Sequence, residues 1–302
     1  MNQKLFNPVE KPQNISLSLN GRRVLITGAT SGIGWQTAVA FAQNGANLIL
    51  SGRSIQKSKD LMAQIRADRP EIEIIFLSAS LNSRDEAQRL AQDAWDWKSG
   101  IDVLINCAGV DIMNEKNKNK DFYEKLDLLW QTDVLGTVVL SRTIGFWMKE
   151  SFLSQSAEPT PTENLPTENC SQNNGSQKFC LRSPVFTPSI INIGWDGSRR
   201  GLAGNAGELF ALTKGAVESF TRSLAQTLAP QVRVNAIAPG WIQTKWGSQA
   251  KSTFQSRVKR QSLLERWGQP NEIAQTAVFL ASEAASYING QILDVNGGFN
   301  GN

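Results

Sequence analysis

The feature that most constrains this chain is the segment Thr27-Gly28-Ala29-Thr30-Ser31-Gly32-Ile33-Gly34. It lies between a short apolar run, Arg23–Thr27, and a stretch with helical periodicity, Ile33–Asn44. A strand that passes through a glycine-rich turn straight into a helix matches the opening unit of a dinucleotide-binding sheet. The glycines permit a tight turn and let backbone approach a pyrophosphate, whose charge the helix N-terminus meets. A glycine pattern alone decides little, so the rest of the chain must supply the context.

It does so by alternation. Further short apolar runs fall at Asn47–Leu50, Ile72–Leu77, Asp102–Asn106, Ser189–Ile193, Val232–Ile237 and Gln291–Val295. Between them lie helical patterns at Ser54–Asp68, Ser83–Trp97, Asp121–Glu150, Gly207–Leu228 and Asn271–Ser282. Strands alternating with helices predict βαβ units and a parallel sheet. The expected fold is therefore α/β, a Rossmann-like doubly wound parallel sheet of about seven strands in a single domain spanning 20–302. Two segments stand outside the pattern. Residues 1–19 form a polar extension. Residues 151–188 hold Pro159, Pro161, Pro166, Pro184 and Pro188 amid Ser, Thr, Asn and Gln, and are expected to be a disordered insert. That insert leads into the amino end of the strand at Ser189. Ligands in such sheets bind beyond the carboxyl ends, so a tolerated loop is expected there, not a lid.

Composition narrows the function classes. Lys and Arg number 31 against 27 acidic residues, a net charge of +4 without a basic cluster, which argues against nucleic acid. Residues Met1 to Asn20 lack the apolar core of a signal peptide, and no apolar run approaches a membrane span. Three cysteines, of which Cys170 and Cys180 lie close together, favour free thiols in a chain without an export signal. The expectation is a cytoplasmic protein with a small-molecule substrate and no membrane. Histidine is absent and the only tyrosines are Tyr123 and Tyr287, so the usual near-neutral proton shuttle is missing.

The second strand ends in Leu50-Ser51-Gly52-Arg53-Ser54. An acidic residue there would bind the ribose hydroxyls of NAD(H), whereas arginine can pair with a 2′-phosphate, so Arg53 predicts NADP(H). Further segments follow in order: Asn106-Cys107-Ala108-Gly109, then Asn235 with Pro239-Gly240-Trp241-Ile242-Gln243-Thr244, then Trp267-Gly268-Gln269-Pro270 through Gly297-Gly298. With the glycine turn, these resemble the short-chain dehydrogenase/reductase family over roughly 20–150 and 189–300. The resemblance implies a cofactor site of Gly28, Thr30, Ser31, Ile33, Gly34, Arg53, Leu81, Asn106, Ala108, Gly109, Lys214, Pro239, Gly240, Ile242 and Thr244. It also implies a homodimer or homotetramer, assembled through the helix at Asp121–Glu150 and the helix bearing Lys214.

The resemblance breaks at the proton chemistry. The family places Tyr-x-x-x-Lys on a helix, a serine that polarises the substrate carbonyl, and an asparagine in a proton relay. Here Lys214 is kept, but Phe210 stands at the tyrosine position, Trp195 at the serine, Asp133 at the asparagine, and Ser80 at an adenine-side aspartate. Neither Tyr123 nor Tyr287 has a lysine four residues on. A positioned general acid contributes roughly 10²–10⁴ in rate, and an oxyanion donor about 10²–10³. Alternative donors near the expected site are Asp196, Glu208, Thr213, Asp133 and the Trp195 indole. Asp196 is the catalytic candidate beside Lys214, if desolvated among Trp195, Trp241 and Phe210. Cys107 is expected to be a small buried residue. The aromatic set Trp195, Phe210, Trp241 and Trp246 reads either as packing of a helix on a loop or as a flat pocket for an apolar or aromatic substrate. Three functions stay open: an NADP(H)-dependent oxidoreductase with a non-standard proton donor, an inactive NADP-binding sensor or partner subunit, and a lyase or isomerase using Asp196 or Lys214.

Overall fold

The computed structural model describes residues 17–157, 186–248 and 252–299, with the side chains of 156, 157, 245 and 246 left aside. Seven strands form one parallel sheet: β1 (Arg23–Ile26), β2 (Asn47–Gly52), β3 (Ile74–Ser78), β4 (Val103–Asn106), β5 (Ser189–Ile193), β6 (Arg233–Pro239) and β7 (Ile292–Val295). Their order is β3-β2-β1-β4-β5-β6-β7, with every pairing parallel. The doubly wound sheet expected from the alternation is the one observed.

Burial on both faces explains why the strands read as continuous apolar runs. Val24 and Ile26 join one core cluster and Leu25 the other; Leu48 and Leu50 do the same against Ile49. The first cluster is completed by α1 (Gly32–Gln43), α2 (Ile55–Asp68) and α9 (Pro270–Ala281), through Phe41, Leu61 and Val278. The second is completed by α3 (Arg84–Asp96), α5 (Gly136–Ala157) and α6 (Asn205–Leu228), through Leu90, Leu140 and Leu228. Each such side chain, fully buried, stabilises the fold by about 1.5–3 kcal/mol relative to exposure. Helix starts follow local chemistry. Ser54 caps α2 through Lys57 N–H, and Asp121 with Glu124 closes a capping box on α4 (Phe122–Leu129).

Three expectations are corrected. The helix read at Asp121–Glu150 is two helices, α4 and α5, joined by a π-helical turn, Trp130–Leu135. One extra residue in that turn scarcely disturbs an apolar pattern, so the sequence conceals it. Disorder from 151 does not hold for 151–157, which continue α5, nor at the far end, where Phe186 is buried beneath the Arg22 guanidinium at 4.0 Å. Residues 158–185, with Cys170, Cys180 and four of the named prolines, lie outside the described residues. The extension likewise gives way before its expected end. Leu19 is fully buried, and its N–H donates to Asn44 O at 2.8 Å.

Between β6 and α9 run α7 (Lys245–Ser248) and α8 (Ser252–Gln261), neither expected from the sequence. In α8 only Val258 is buried, too little for a visible apolar period. No helix among the described residues is long and apolar enough to cross a membrane.

Candidate functional site

In a sheet of this order the connections reverse direction between β1 and β4, and a crevice opens there beyond the carboxyl ends of the strands. The loops carrying the expected site residues all leave from that edge.

The β1 side is a cradle. Gly28 has φ +66°, and a Cβ there would come within 2.7 Å of Ala108 Cα, so only glycine lets this turn lie against the loop after β4. The Thr27 hydroxyl fixes the same contact, accepting from the backbone N–H of Cys107 and of Ala108 at 3.1 Å each. A Cβ on Gly34 would overlap the Gly28 carbonyl oxygen. Thr244, from the loop after β6, reaches the turn from above: its methyl lies 3.4 Å from where a Gly32 Cβ would be. Ser31 caps α1 with extended backbone but makes no side-chain cap bond, and the first turn of α1 holds no acid. The first N–H groups of α1 therefore meet no carboxylate of their own helix. Arg53 is exposed beyond β2 and has no ion pair or hydrogen bond among the described residues. A dinucleotide fits this set: a glycine-floored turn, a helix N-terminus without a competing acid, and a free guanidinium beyond β2.

Other members of the expected set are placed differently. Gly109 is exposed beside this turn, and Thr30 packs on Gly52. Ile33 and Ile242 are engaged in the core, Ile242 also bridging to Gly268. Pro239 is buried at the end of β6, while Gly240 lies so near Asn296 that a Cβ would come within 2.6 Å of that residue's Cβ. Leu81 is buried against Gly136. The Asn106 side chain turns inward: its Nδ2 donates to Ser141 Oγ at 2.8 Å and to Asn192 Oδ1 at 2.9 Å. Asn192 Nδ2 donates onward to Thr221 Oγ1 at 2.9 Å, so this ladder ties β4, α5, β5 and α6 together.

The β5 side is ionic and closed. Lys214 Nζ lies 2.9 Å from Asp133 Oδ2, and the two side chains are 13% and 2% exposed. Nζ also donates to the Ile193 carbonyl at 3.2 Å, while Asp133 Oδ1 accepts from Val110 N–H at 2.9 Å. Burial pushes the neighbouring Cys107 thiol up to about 12, with Lys214 opposing and Asp133 adding to the shift. Such a thiol is protonated and unreactive at neutral pH.

The proposed alternative donors have partners of their own. Asp196 is buried in a short 3₁₀ turn, Asp196–Ser198, and accepts from Arg200 at 2.7 Å and Asn296 Nδ2 at 2.9 Å. Thr213 is fully buried and donates to its own helix at Leu209 O, 2.9 Å. Glu208 is exposed in the first turn of α6. Phe210 packs with Ile112, Leu129 and Leu209, and its ring meets Trp195 edge-on at 6.4 Å.

Glu218 escaped the sequence reading. It is 1% exposed, accepts from Ser198 Oγ at 2.8 Å and Trp195 N–H at 3.4 Å, and pairs with Arg199, which also meets Asp294. The available signal was a charge interrupting the buried face that α6 makes with Val217, Thr221 and Leu224. Trp241, Phe254 and Trp267 stack edge-on or tilted at 5.0–6.4 Å above β6; the Trp246 side chain lies outside the described residues.

Two family models match the chain: short chain dehydrogenase over 22–152, and Enoyl-(Acyl carrier protein) reductase over 178–300. The 3-oxoacyl-[acyl-carrier-protein] reductase FabG of Aquifex aeolicus is 31% identical over 290 residues, 94% of this chain and 99% of the relative. Nodulation protein G of Rhizobium meliloti is 28% identical over 93% of this chain and 97% of its own length. Among solved structures, a short-chain dehydrogenase/reductase, glucose/ribitol dehydrogenase, from Brucella melitensis superposes with a TM-score of 0.70 at 28% identity, covering 92% of this chain and 96% of that one. L-sorbose reductase of Gluconobacter frateurii shares the fold, with a TM-score of 0.75 at 22% identity over 95% of this chain and 99% of its own. The motifs, the sheet order and these matches agree: the chain belongs to the short-chain dehydrogenase/reductase family.

Proposed function

We propose that the protein is an NADP(H)-dependent oxidoreductase whose proton-donating machinery departs from that of its family. The observation that carries this reading is the cradle, where Gly28, Ser31, Gly34, Thr244 and Arg53 present close backbone, free polar groups and a cation at one edge of the sheet. Arg53 supports NADP(H) over NAD(H). When bound, the dinucleotide supplies or accepts hydride; the chain binds it, orients it and manages the proton.

Proton management is where this chain differs. The name of the FabG relatives describes reduction of a 3-oxoacyl group, which leaves an alkoxide that must gain a proton. Phe210 carries no exchangeable proton, and Trp195 offers only an indole N–H. The ion pair of Asp196 with Arg200 and its hydrogen bond from Asn296 support a turn-holding role for it in place of acid catalysis. Lys214, paired with Asp133, is assigned to the cofactor side. A substrate whose product needs no protein proton, or one protonated from solvent, suits such a site. Exposed Leu212 and Trp130 support a homodimer or homotetramer through α4–α6, checked by light scattering.

A second reading is favoured by the apolar packing of Phe210 and by the paired acids: an NADP-binding sensor or partner subunit without turnover. Restoring the family pattern separates the two. NADPH consumption is followed over a panel of ketones for the wild type, Phe210→Tyr and the double variant Phe210→Tyr/Trp195→Ser. A gain of roughly 10²-fold in the double variant would support a reductase scaffold lacking only its acid and carbonyl donor. NADPH binding without any gain would favour the sensor.

A further inference from the structure

We propose that Asp133 sets the preference of this protein between the oxidised and reduced forms of its dinucleotide, by cancelling the charge of Lys214. The inference rests on the dinucleotide reading above and concerns the half of the crevice opposite Arg53. The glycine turn lies on β1 and Arg53 beyond β2, so the adenosine half belongs over β1–β3. Asp133 and Lys214 lie across the switch point: Nζ on the carbonyl that ends β5, Oδ1 on the Val110 N–H beyond β4, and Oδ2 just 3.1 Å from the Cβ position of Gly109. The nicotinamide half of a bound dinucleotide would cross this ground.

The chemistry of that half makes local charge matter. The oxidised ring carries one positive charge and the reduced ring none. A nearby ammonium without a counter-ion, in a site of effective dielectric about 20, would disfavour the oxidised form on the order of tenfold or more. In this chain the ammonium is held at 2.9 Å by a carboxylate that is itself 2% exposed, so solvent screens neither partner well and the two fields largely cancel at a distance. Both Asp133 oxygens are occupied, one by Nζ and one by Val110 N–H, which fits a fixed counter-charge and not a proton donor. Asp133 is thus a positioning residue that acts through Lys214 and on the field in the crevice.

The test is a pair of titrations, NADP⁺ and NADPH separately, on the wild type, Asp133→Asn, Lys214→Met and the double variant; thermal melts confirm folding. The wild type should bind the two forms with similar affinity. Asp133→Asn should raise the ratio of the NADP⁺ Kd to the NADPH Kd about tenfold, a rise of about 30 mV in the potential of the bound couple. Lys214→Met should move the ratio the other way, and the double variant should return it to the wild-type value. Should Asp133→Asn fail to fold, Lys214→Met alone must still shift the ratio towards NADP⁺. Equal weakening of both forms, with the ratio unmoved in every folded variant, would overturn the inference and leave the pair a purely structural tie. A wild type that binds neither form would overturn the dinucleotide reading itself, and is distinguishable for that reason.

Discussion

The two sides of the crevice handle their polar groups in opposite ways. On the β1–β2 side Ser31 makes no cap bond and Arg53 has no partner among the described residues, and the glycines keep the backbone open to close approach. On the β5–α6 side nearly every ionic group is met by another: Lys214 by Asp133, Asp196 by Arg200 and Asn296, Glu218 by Ser198 and Arg199. Unmet donors at a surface cost little because water serves them; buried charges must be paired or they destabilise the fold. Under the proposed function the first side serves a ligand from outside, while the second is tied to itself. Under the proposed function, cofactor binding and proton chemistry could diverge independently, because the two depend on different residues.

Three substitutions test this contrast, and a fourth, outside both regions, serves as a control. The largest effect is expected on the open side from Gly34→Val, whose branched side chain must displace the Gly28 carbonyl. Chemical denaturation should show a loss of about 3 kcal/mol, and dinucleotide binding should disappear. On the closed side, Glu218→Ala leaves Ser198 and the Trp195 N–H without an acceptor and Arg199 with Asp294 alone. A loss of about 2 kcal/mol is expected, discounted because Arg199 is 40% exposed, with NADPH affinity changed little in a titration of the folded protein. Comparable loss of binding in both variants would erase the contrast.

Next in size is Arg53→Ala, expected to leave stability unchanged and to lower NADPH affinity roughly tenfold with NADH affinity untouched, as read by parallel titrations. The smallest effect lies outside both regions. Arg266 holds the Glu272 carboxyl down to about 2, chiefly through their hydrogen bond, and Gln269 N–H assists. A depressed carboxylate stabilises the fold above the usual carboxylate range and loses that contribution as pH falls towards 2. The pair is 48% and 40% exposed, so only a small difference in melting temperature is expected. Melting temperatures of Glu272→Gln and wild type should converge as pH falls through that window.

What the sequence disclosed follows the same division. The cradle was legible because its determinants are local: Gly28 to Gly34 are consecutive, and Arg53 ends the next strand. The strands were legible because β1, β2 and β4–β6 are buried on both faces and need long apolar runs. The closed side was not, because its pairs join distant positions. Asp196 finds Asn296 a hundred residues on, and Lys214 finds Asp133 only because α6 packs against the π-helical turn. Composition flags each charge but not its partner. That is why Asp196 reads from sequence as a desolvated acid and stands in the structure as a paired one. Helix α8 was missed for a different reason, its single buried residue giving no period to detect.

Whether the open side holds a nicotinamide dinucleotide is decided by titrating the wild type with NADPH and NADH. Binding is followed by fluorescence transfer from the tryptophans and by thermal stability. Saturable binding with micromolar affinity for NADPH, weaker for NADH, is expected, with a rise in melting temperature for each. No transfer and no stabilisation by either would contradict it, leaving the fold without its expected ligand.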